Sequence, residues 1–206
     1  MSEIRCVLAN TPDAWAQVVA IRMAVFVHEQ GVPAEAILVD EANTSGLSLR
    51  TFLFRRNLTY FGLKGGGLGW GLPASVGVHF AAPDRPVVAL LGDGSAMYTV
   101  QALWTAAHHR ARVAFVVCNN RQYRIVKHRL HLFGGAAARH RRYPGVELDA
   151  PAIDFVALAR SLGVRARRVE DPEALAETIA EAVGSEGPAL VDVAVEGSYP
   201  EREAAR

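Results

Sequence analysis

The sequence predicts an α/β fold: a doubly wound, mostly parallel sheet with helices on both faces, preceded by a short N-terminal strand–helix fragment. Three observations predict it. Two short apolar runs, Pro86–Leu91 and Val113–Cys118, each end in turn residues, the pattern of strands buried on both faces. The segment between them has helical spacing, and parallel strands need such a crossover. Beyond residue 150 the alternation of helix and strand continues to residue 195, as layered α/β domains do.

Composition sets the outer bounds. The 206 residues suffice for one domain plus a fragment, or for two small domains. Half of them are hydrophobic, which suits a packed core, and a formal charge of +1 gives no reason to expect a nucleic-acid or membrane partner. Cys6 and Cys118 are the two cysteines. Cys118 closes an apolar strand and reads as a buried thiol, so a disulfide framework is not expected and an intracellular, cytoplasmic setting fits better. No apolar run approaches the roughly 18 residues of a membrane-spanning helix, and M-S-E-I-R-C-V-L lacks the pattern of a secretory signal.

In chain order, Ile4–Leu8 reads as a short strand. Thr11-Pro12-Asp13 starts a helix with a hydroxyl cap, a proline in the first turn and an early acid, and Gly31-Val32-Pro33 ends it. Within this part, I-R-M-A-V-F-V-H-E-Q-G-V-P-A-E (Ile21–Glu35) resembles the opening of a GNAT-type acetyltransferase. The glycine-rich acetyl-CoA loop that such an enzyme would need next does not follow. Residues 1–41 are therefore set apart as a GNAT-like fragment, and His28 and Glu29 read as a solvated helix end. Residues 42–48 read as a linker opening a domain that extends over 42–198. Thr51–Tyr60 is mixed. Gly65-Gly66-Gly67-Leu68-Gly69-Trp70-Gly71 follows, a run that lets backbone approach another surface closely. A helix is expected over Leu72–Phe80, then the strand Val87–Leu91, a helix over Tyr98–Arg110 with Val100, Leu103, Trp104 and Ala107 at core spacing, and the strand Val113–Cys118.

The residues at the ends of these two strands carry chemistry. Gly92 and Gly94 remove side chains where a diphosphate would lie against backbone N–H groups. Asp93 offers a hard carboxylate oxygen suited to magnesium or calcium, and Ser95 adds a hydroxyl. The helix after them would turn its N-terminus to the same place and favour an anion. Asn120 lies 27 residues beyond Asp93, after one helix and one strand, and its amide oxygen could join Asp93 on a metal. A main-chain carbonyl just downstream could add a third ligand. Gly-Asp-Gly alone is common, and Asn-Asn alone is a loop signal; each at the end of an apolar strand forms a specific pair.

Gly92-Asp93-Gly94…Asn119-Asn120 resembles the thiamin-diphosphate fingerprint, G-D-G followed at this separation by N-N. The wider text, G-G-L-G-W-G-L-P-A-S-V-G and then G-D-G-S-A-M-Y-T-V-Q-A-L-W-T-A-A, is similar to the benzoylformate decarboxylase and acetolactate synthase group. The resemblance covers roughly residues 39–196, the C-terminal diphosphate-binding domain of those enzymes. It implies thiamin diphosphate and Mg2+ as cofactors. By position it makes Asp93 and Asn120 side-chain metal ligands and Gln122 a main-chain ligand. Gly94 and Ser95 would contact the diphosphate, with Gly92 before them and Tyr123 beside it. Gly66 would give a carbonyl to the aminopyrimidine, with Gly67 in play because the register across three glycines is open by one. Leu68 would be the apolar wedge that holds the cofactor bent.

After this site, Arg121–Leu132 reads as an amphipathic helix whose apolar side comprises Tyr123, Ile125, Val126, Leu130 and Phe133. Arg124, Lys127, His128 and Arg129, with Arg139 to Arg142 beyond, form a basic patch, read either as a solvated face or as an attractor for a carboxylate or diphosphate. Phe133–Pro144 is rich in glycine, alanine and arginine and reads as a mobile segment. A helix from Ile153 to Leu162, a strand Val164–Val169, a helix capped by Asp171 and a last strand Ala189–Val195 complete the scaffold, and residues 199–206 form a charged tail.

The resemblance also implies what is missing. In the family, thiamin diphosphate adds to a 2-oxo acid and stabilises the carbanion left by loss of CO2, and a glutamate on a separate pyrimidine-binding domain assists. Neither Glu29 nor Glu41 lies in a matching motif, so no catalytic residue is assigned. The expected function is half of the active site of a 2-oxo acid decarboxylase or carboligase, completed by a pyrimidine-binding domain from another chain or by a homo-oligomer. The alternatives are a truncated or fused cofactor-binding domain without catalysis of its own, and an acetyltransferase remnant.

Overall fold

The computed structural model describes residues 36–43, 60–62 and 65–197. The expected strand Ile4–Leu8, the helix begun at Thr11, the acetyltransferase-like stretch, most of the linker and the charged tail lie outside the described residues.

Six strands form one sheet in which every pairing is parallel: β1 (Ile37–Glu41), β2 (Tyr60–Gly62), β3 (Val87–Gly92), β4 (Val113–Asn119), β5 (Arg165–Val169) and β6 (Ala189–Ala194). Their order is β2-β1-β3-β4-β6-β5. The helices are α1 (Gly71–Ala81), α2 (Asp93–Ala96), α3 (Ala102–His108), α4 (Arg124–Phe133), α5 (Ala136–Arg139), α6 (Phe155–Ser161) and α7 (Leu175–Val183), the last entered through a 3-10 turn at Pro172–Ala174.

Alternation along the buried strands divides the core in two. Val87, Ala89, Leu91, Val113, Phe115 and Val117 face a cluster completed by Leu72, Leu103 and Phe155 from the helices. Val88, Leu90, Ala114, Val116 and Val191 face the opposite cluster, with Ile179, Ala182 and Val183 of α7. Helices therefore cover both faces, as the apolar runs predicted. Cys118 is buried as a thiol. No helix among the described residues is long and apolar enough to cross a membrane.

The caps of the later helices follow the sequence. Asp154 accepts from the Ala157 amide at 2.8 Å and Asp171 from the Glu173 amide at 3.0 Å, satisfying N–H groups that the first turn leaves open.

Four expectations are corrected. Ile37–Glu41, assigned to the N-terminal fragment, is an interior strand between β2 and β3, so the sheet begins before residue 42. Its acids hide it: Asp40 is buried while accepting from the Tyr60 hydroxyl at 2.8 Å and the Ala42 amide at 3.0 Å. The continuous helix over Tyr98–Arg110 is instead α2, a run of turns, and α3. There the amides of Ala102, Leu103 and Trp104 bond three residues back, to Thr99, Val100 and Gln101. The resulting rotation leaves Trp104 55 % exposed and stacked on His108 at 5.0 Å, while Leu103 and Ala106 are buried. The helix read from Arg121 starts at Arg124, because Arg121 has φ +56°, outside the helical region. Its apolar side is also only partly inward: Tyr123 and Ile125 are half-buried, Val126, Leu130, Leu132 and Phe133 (85 %) are exposed, and Arg124 is buried in their place.

Candidate functional site

Strand register assembles the site. Glu41 pairs with Leu91, and Gly92 with Cys118, so the carboxyl ends of β1, β3 and β4 finish at one level. The strand order also reverses there: β1 leads outward to β2, while β3 leads the other way to β4. Open α/β sheets bind ligands outside the carboxyl ends at such a switch point. A cleft opens at this place. It is lined by Ala42 and Asn43 after β1, Leu68 from the glycine turn, Gly92-Asp93-Gly94-Ser95 after β3, and Asn120, Gln122, Tyr123 and Arg124 after β4.

Asp93 is 3 % exposed. One oxygen accepts from the Gly94 amide at 2.9 Å and the other from the Gln122 amide at 3.2 Å. Burial raises its pKa to about 6, and the backbone N–H groups only partly offset this. A buried carboxylate held by neutral donors alone has the charge and oxygen chemistry that could hold a cation. Asn120 is on the same turn, where its amide oxygen accepts from the Gln122 amide at 3.1 Å. The Gln122 carbonyl accepts from the Arg124 amide at 2.8 Å, closing an inverse γ-turn in which Tyr123 has φ −74° and ψ 66°. A second lone pair remains on that carbonyl.

Residues 146–148, which no motif singled out, pin this turn. The Tyr123 amide donates to the Val146 carbonyl at 2.8 Å and the Leu148 amide to the Arg121 carbonyl at 2.7 Å, with Gln122 bridged to Glu147. The Gln122 side chain reaches the Gly197 carbonyl.

The glycines differ in purpose. A Cβ on Gly94 would meet the Tyr123 ring at 2.4 Å, so glycine is required for that ring to lie across the turn. Tyr98 packs edge-on to Tyr123, ring centroids 6.5 Å apart, and burial raises the Tyr123 pKa. Gly69 has φ +93°, and a Cβ there would lie 2.5 Å from Tyr98 Cβ. Its carbonyl accepts from the Thr99 hydroxyl at 2.6 Å. Gly71 would collide with Glu41 and Leu91 at 2.7 Å.

Glu41 is the residue that sequence reasoning missed. It is 1 % exposed, and its carboxylate accepts from the amides of Gly69 at 2.6 Å, Trp70 at 3.3 Å and Gly71 at 2.7 Å. It thereby clamps the glycine turn and the start of α1. Burial raises its pKa against those donors. With both oxygens committed and no place in the cleft wall, Glu41 holds structure rather than a reacting atom. The one sequence signal was two adjacent acids ending an apolar run, which propensity alone reads as surface.

Of the residues singled out from sequence, Leu68, Gly92, Asp93, Gly94, Ser95, Asn120, Gln122 and Tyr123 line the cleft. Gly66 and Gly67 do not. Both are exposed, with open space around them among the described residues. Arg124, read as part of a basic patch, turns inward to the cleft, while Arg129, Arg139, Arg141 and Arg142 stay exposed. No group of three or more His, Cys, Asp or Glu side chains is gathered among the described residues. Asp93, Asn120 and the Gln122 carbonyl could offer one carboxylate, one amide and one carbonyl oxygen, a set that would suit a hard cation.

Known proteins resemble this chain in sequence and in fold. Residues 43–193 match the family described as "Thiamine pyrophosphate enzyme, C-terminal TPP binding domain". A Mycobacterium tuberculosis protein provisionally named acetolactate synthase large subunit IlvX is 40 % identical over 166 residues, covering 80 % of this chain and 32 % of its own length. Benzoylformate decarboxylase of Pseudomonas aeruginosa is 36 % identical over 169 residues, covering 82 % and 31 %. Among solved structures, the thiamine diphosphate-dependent 4-hydroxybenzoylformate decarboxylase of Rhodococcus jostii superposes with a TM-score of 0.71 at 32 % identity, over 91 % of this chain and 33 % of that one. The chain spans about a third of the length of these relatives. It belongs to the thiamine pyrophosphate-dependent enzyme family, whose C-terminal cofactor-binding domain it contains.

Proposed function

We propose that this chain binds thiamin diphosphate through Mg2+ and forms the diphosphate-anchoring half of the active site of a 2-oxo acid decarboxylase or carboligase. The observation that carries the reading is the Asp93–Asn120–Gln122 set: a buried carboxylate bonded only by backbone amides, beside an amide oxygen and a turn carbonyl. Asp93, Asn120 and the Gln122 carbonyl would hold the metal. The backbone at Gly92, Gly94 and Ser95 would receive the diphosphate, with the Tyr123 ring closing one side. Leu68 would bear on the bent cofactor, and a carbonyl at Gly66 or Gly67 would meet its aminopyrimidine. Bound thiamin diphosphate would supply the carbon nucleophile and electron sink for loss of CO2 from a small 2-oxo acid such as benzoylformate.

The chain's own residues bind and orient. Among those lining the cleft, Asp93 is the one acid, and it would be committed to metal. The proton-relaying glutamate of such a site would therefore come from a pyrimidine-binding domain that the described residues do not contain. The alternative, a cofactor-binding domain without catalysis of its own, draws on the same observation, since Glu41 has both oxygens occupied.

Calorimetric titration of thiamin diphosphate into the purified chain tests the binding claim. Heat in Mg2+ that vanishes in EDTA is expected, and Mg2+-independent binding or none would refute it. Mixing the chain with a pyrimidine-domain partner and benzoylformate separates the two readings. Release of CO2 only in the mixture supports the half-site, and silence in both places the chain with the non-catalytic alternative.

A further inference from the structure

Asp192 is a buried acid far from the cleft in sequence, and nothing described above uses it. It is 1 % exposed on β6, and its two oxygens face different donors. One accepts from the Asn119 side-chain amide at 3.0 Å, the other from Arg168 of β5 at 2.7 Å. Arg168 is itself braced by Glu170 at 2.7 Å. The Asn119 carbonyl oxygen, at the other end of the same side chain, accepts from the Arg121 amide at 3.2 Å. Arg121 has φ +56°, a conformation that disfavours any residue with a Cβ. The next amide, that of Gln122, bonds to both Asp93 and Asn120.

The chemistry of this chain of bonds permits one arrangement. Asp192 can only accept and the Arg121 N–H can only donate, so Asn119 must present its NH2 to the first and its oxygen to the second. We propose that Asp192 and Asn119 are positioning residues: Asp192 locks the Asn119 amide, and the locked amide holds Arg121 in the left-handed conformation that presents Asn120 and Gln122 to the metal. Neither lines the cleft. This rests on the metal–diphosphate reading of the cleft, which it deepens by extending the site to the β5–β6 edge of the sheet.

The arrangement makes a reciprocal prediction. In Asp192→Asn, the new amide keeps its oxygen for Arg168 and turns NH2 toward the NH2 of Asn119. If Asn119 flips to relieve that clash, its NH2 meets the Arg121 N–H instead. In Asn119→Asp, two carboxylates face each other without a donor. In the double variant, the amide introduced at position 192 donates to the carboxylate introduced at position 119. The oxygen of that amide still accepts from Arg168, and the second oxygen of that carboxylate still accepts from Arg121, so every bond is restored.

The experiment uses the full chain and two readouts. One is hydrogen exchange at the Arg121 and Gln122 amides without ligand; the other is the dissociation constant for thiamin diphosphate in Mg2+. Each single variant, with Asn119→Ala as a smaller substitute should either fail to fold, is expected to speed exchange about tenfold or more. Binding should weaken by roughly 10–100-fold, the range found when outer-shell partners of metal sites are removed. The double variant is expected to recover both. Unchanged exchange in the single variants, or a double variant no better than they are, overturns the proposal. If the parent chain shows no Mg2+-dependent binding, the cofactor reading falls, and the exchange arm still decides whether Asp192 sets the turn.

Discussion

The two halves of the glycine run behave in opposite ways. Gly69 and Gly71 are locked: their amides bond to Glu41, Gly69 backs onto Tyr98 and Thr99, and a Cβ on either would collide. Gly65 and Gly66 also adopt positive φ, +86° and +75°, yet a Cβ there would meet nothing within 4 Å among the described residues. The locked half lies against β1 and β3 and fixes α1. The open half carries the backbone proposed to meet the aminopyrimidine. The cleft wall at Asp93, Asn120 and Gln122 is likewise built from bonds within this chain, whereas Gly66 and Gly67 stand outside that lining. Under the proposed function, the first would hold the diphosphate by itself, and the second would meet a pyrimidine-binding domain.

Removing the proposed metal ligands should have the largest effect. Asp93→Ala and Asn120→Ala are expected to weaken Mg2+-dependent thiamin diphosphate binding by more than the roughly 100-fold that outer-shell changes reach, as read by titration. Retained affinity in both would move the site elsewhere.

Acidity should act through the same carboxylate, with opposite signs for binding and for stability. The Asp93 pKa is raised from 3.8 to about 6 in the folded chain. Its contribution to the stability of the ligand-free fold is therefore complete below about 3.8 and lost as pH rises through about 6. Metal needs the deprotonated form, so Mg2+ affinity should be flat above pH 6 and fall below it by about tenfold per pH unit. Affinity that holds steady down to pH 5 would remove Asp93 from the metal.

Within the glycines, Gly94→Ala should cost about 1–3 kcal/mol in chemical denaturation by driving the Tyr123 ring off the turn. Adding Tyr123→Ala should relieve much of that penalty, a non-additivity expected of groups in contact. Glu41→Gln replaces an acceptor with NH2 facing a backbone N–H, at about 1–3 kcal/mol. Gly67→Ala, in open space and without positive φ, should stay within about 0.5 kcal/mol. A Gly67 effect as large as that of Gly94 would show that the open half is packed after all.

What could be read from sequence divides along similar lines. β3 and β4 announce themselves because each is an apolar run ending in turn residues, and their site residues are local to those ends. β1 was hidden because Asp40 and Glu41 look like surface until Tyr60 and the glycine turn, about 20 to 30 positions away, satisfy them. Ala42 and Asn43 enter the cleft through β1 register, which no local pattern records. The helix expected over Tyr98–Arg110 failed for a different reason. Its residues tolerate helix well, but the chain turns tightly at Thr99–Gln101 to place Tyr98 against Tyr123. The role of Asn119 needed Asp192, 73 residues on.

The proposed diphosphate site at Asp93, Asn120 and Gln122 should hold its ligand by itself. Competition against bound thiamin diphosphate in Mg2+, by inorganic pyrophosphate and by unphosphorylated thiamin, tests it directly. Pyrophosphate is expected to displace the cofactor at concentrations near the cofactor's own dissociation constant, and thiamin to leave it in place. Displacement by thiamin with pyrophosphate inert would contradict the account, because it would put the grip at the open end of the cleft.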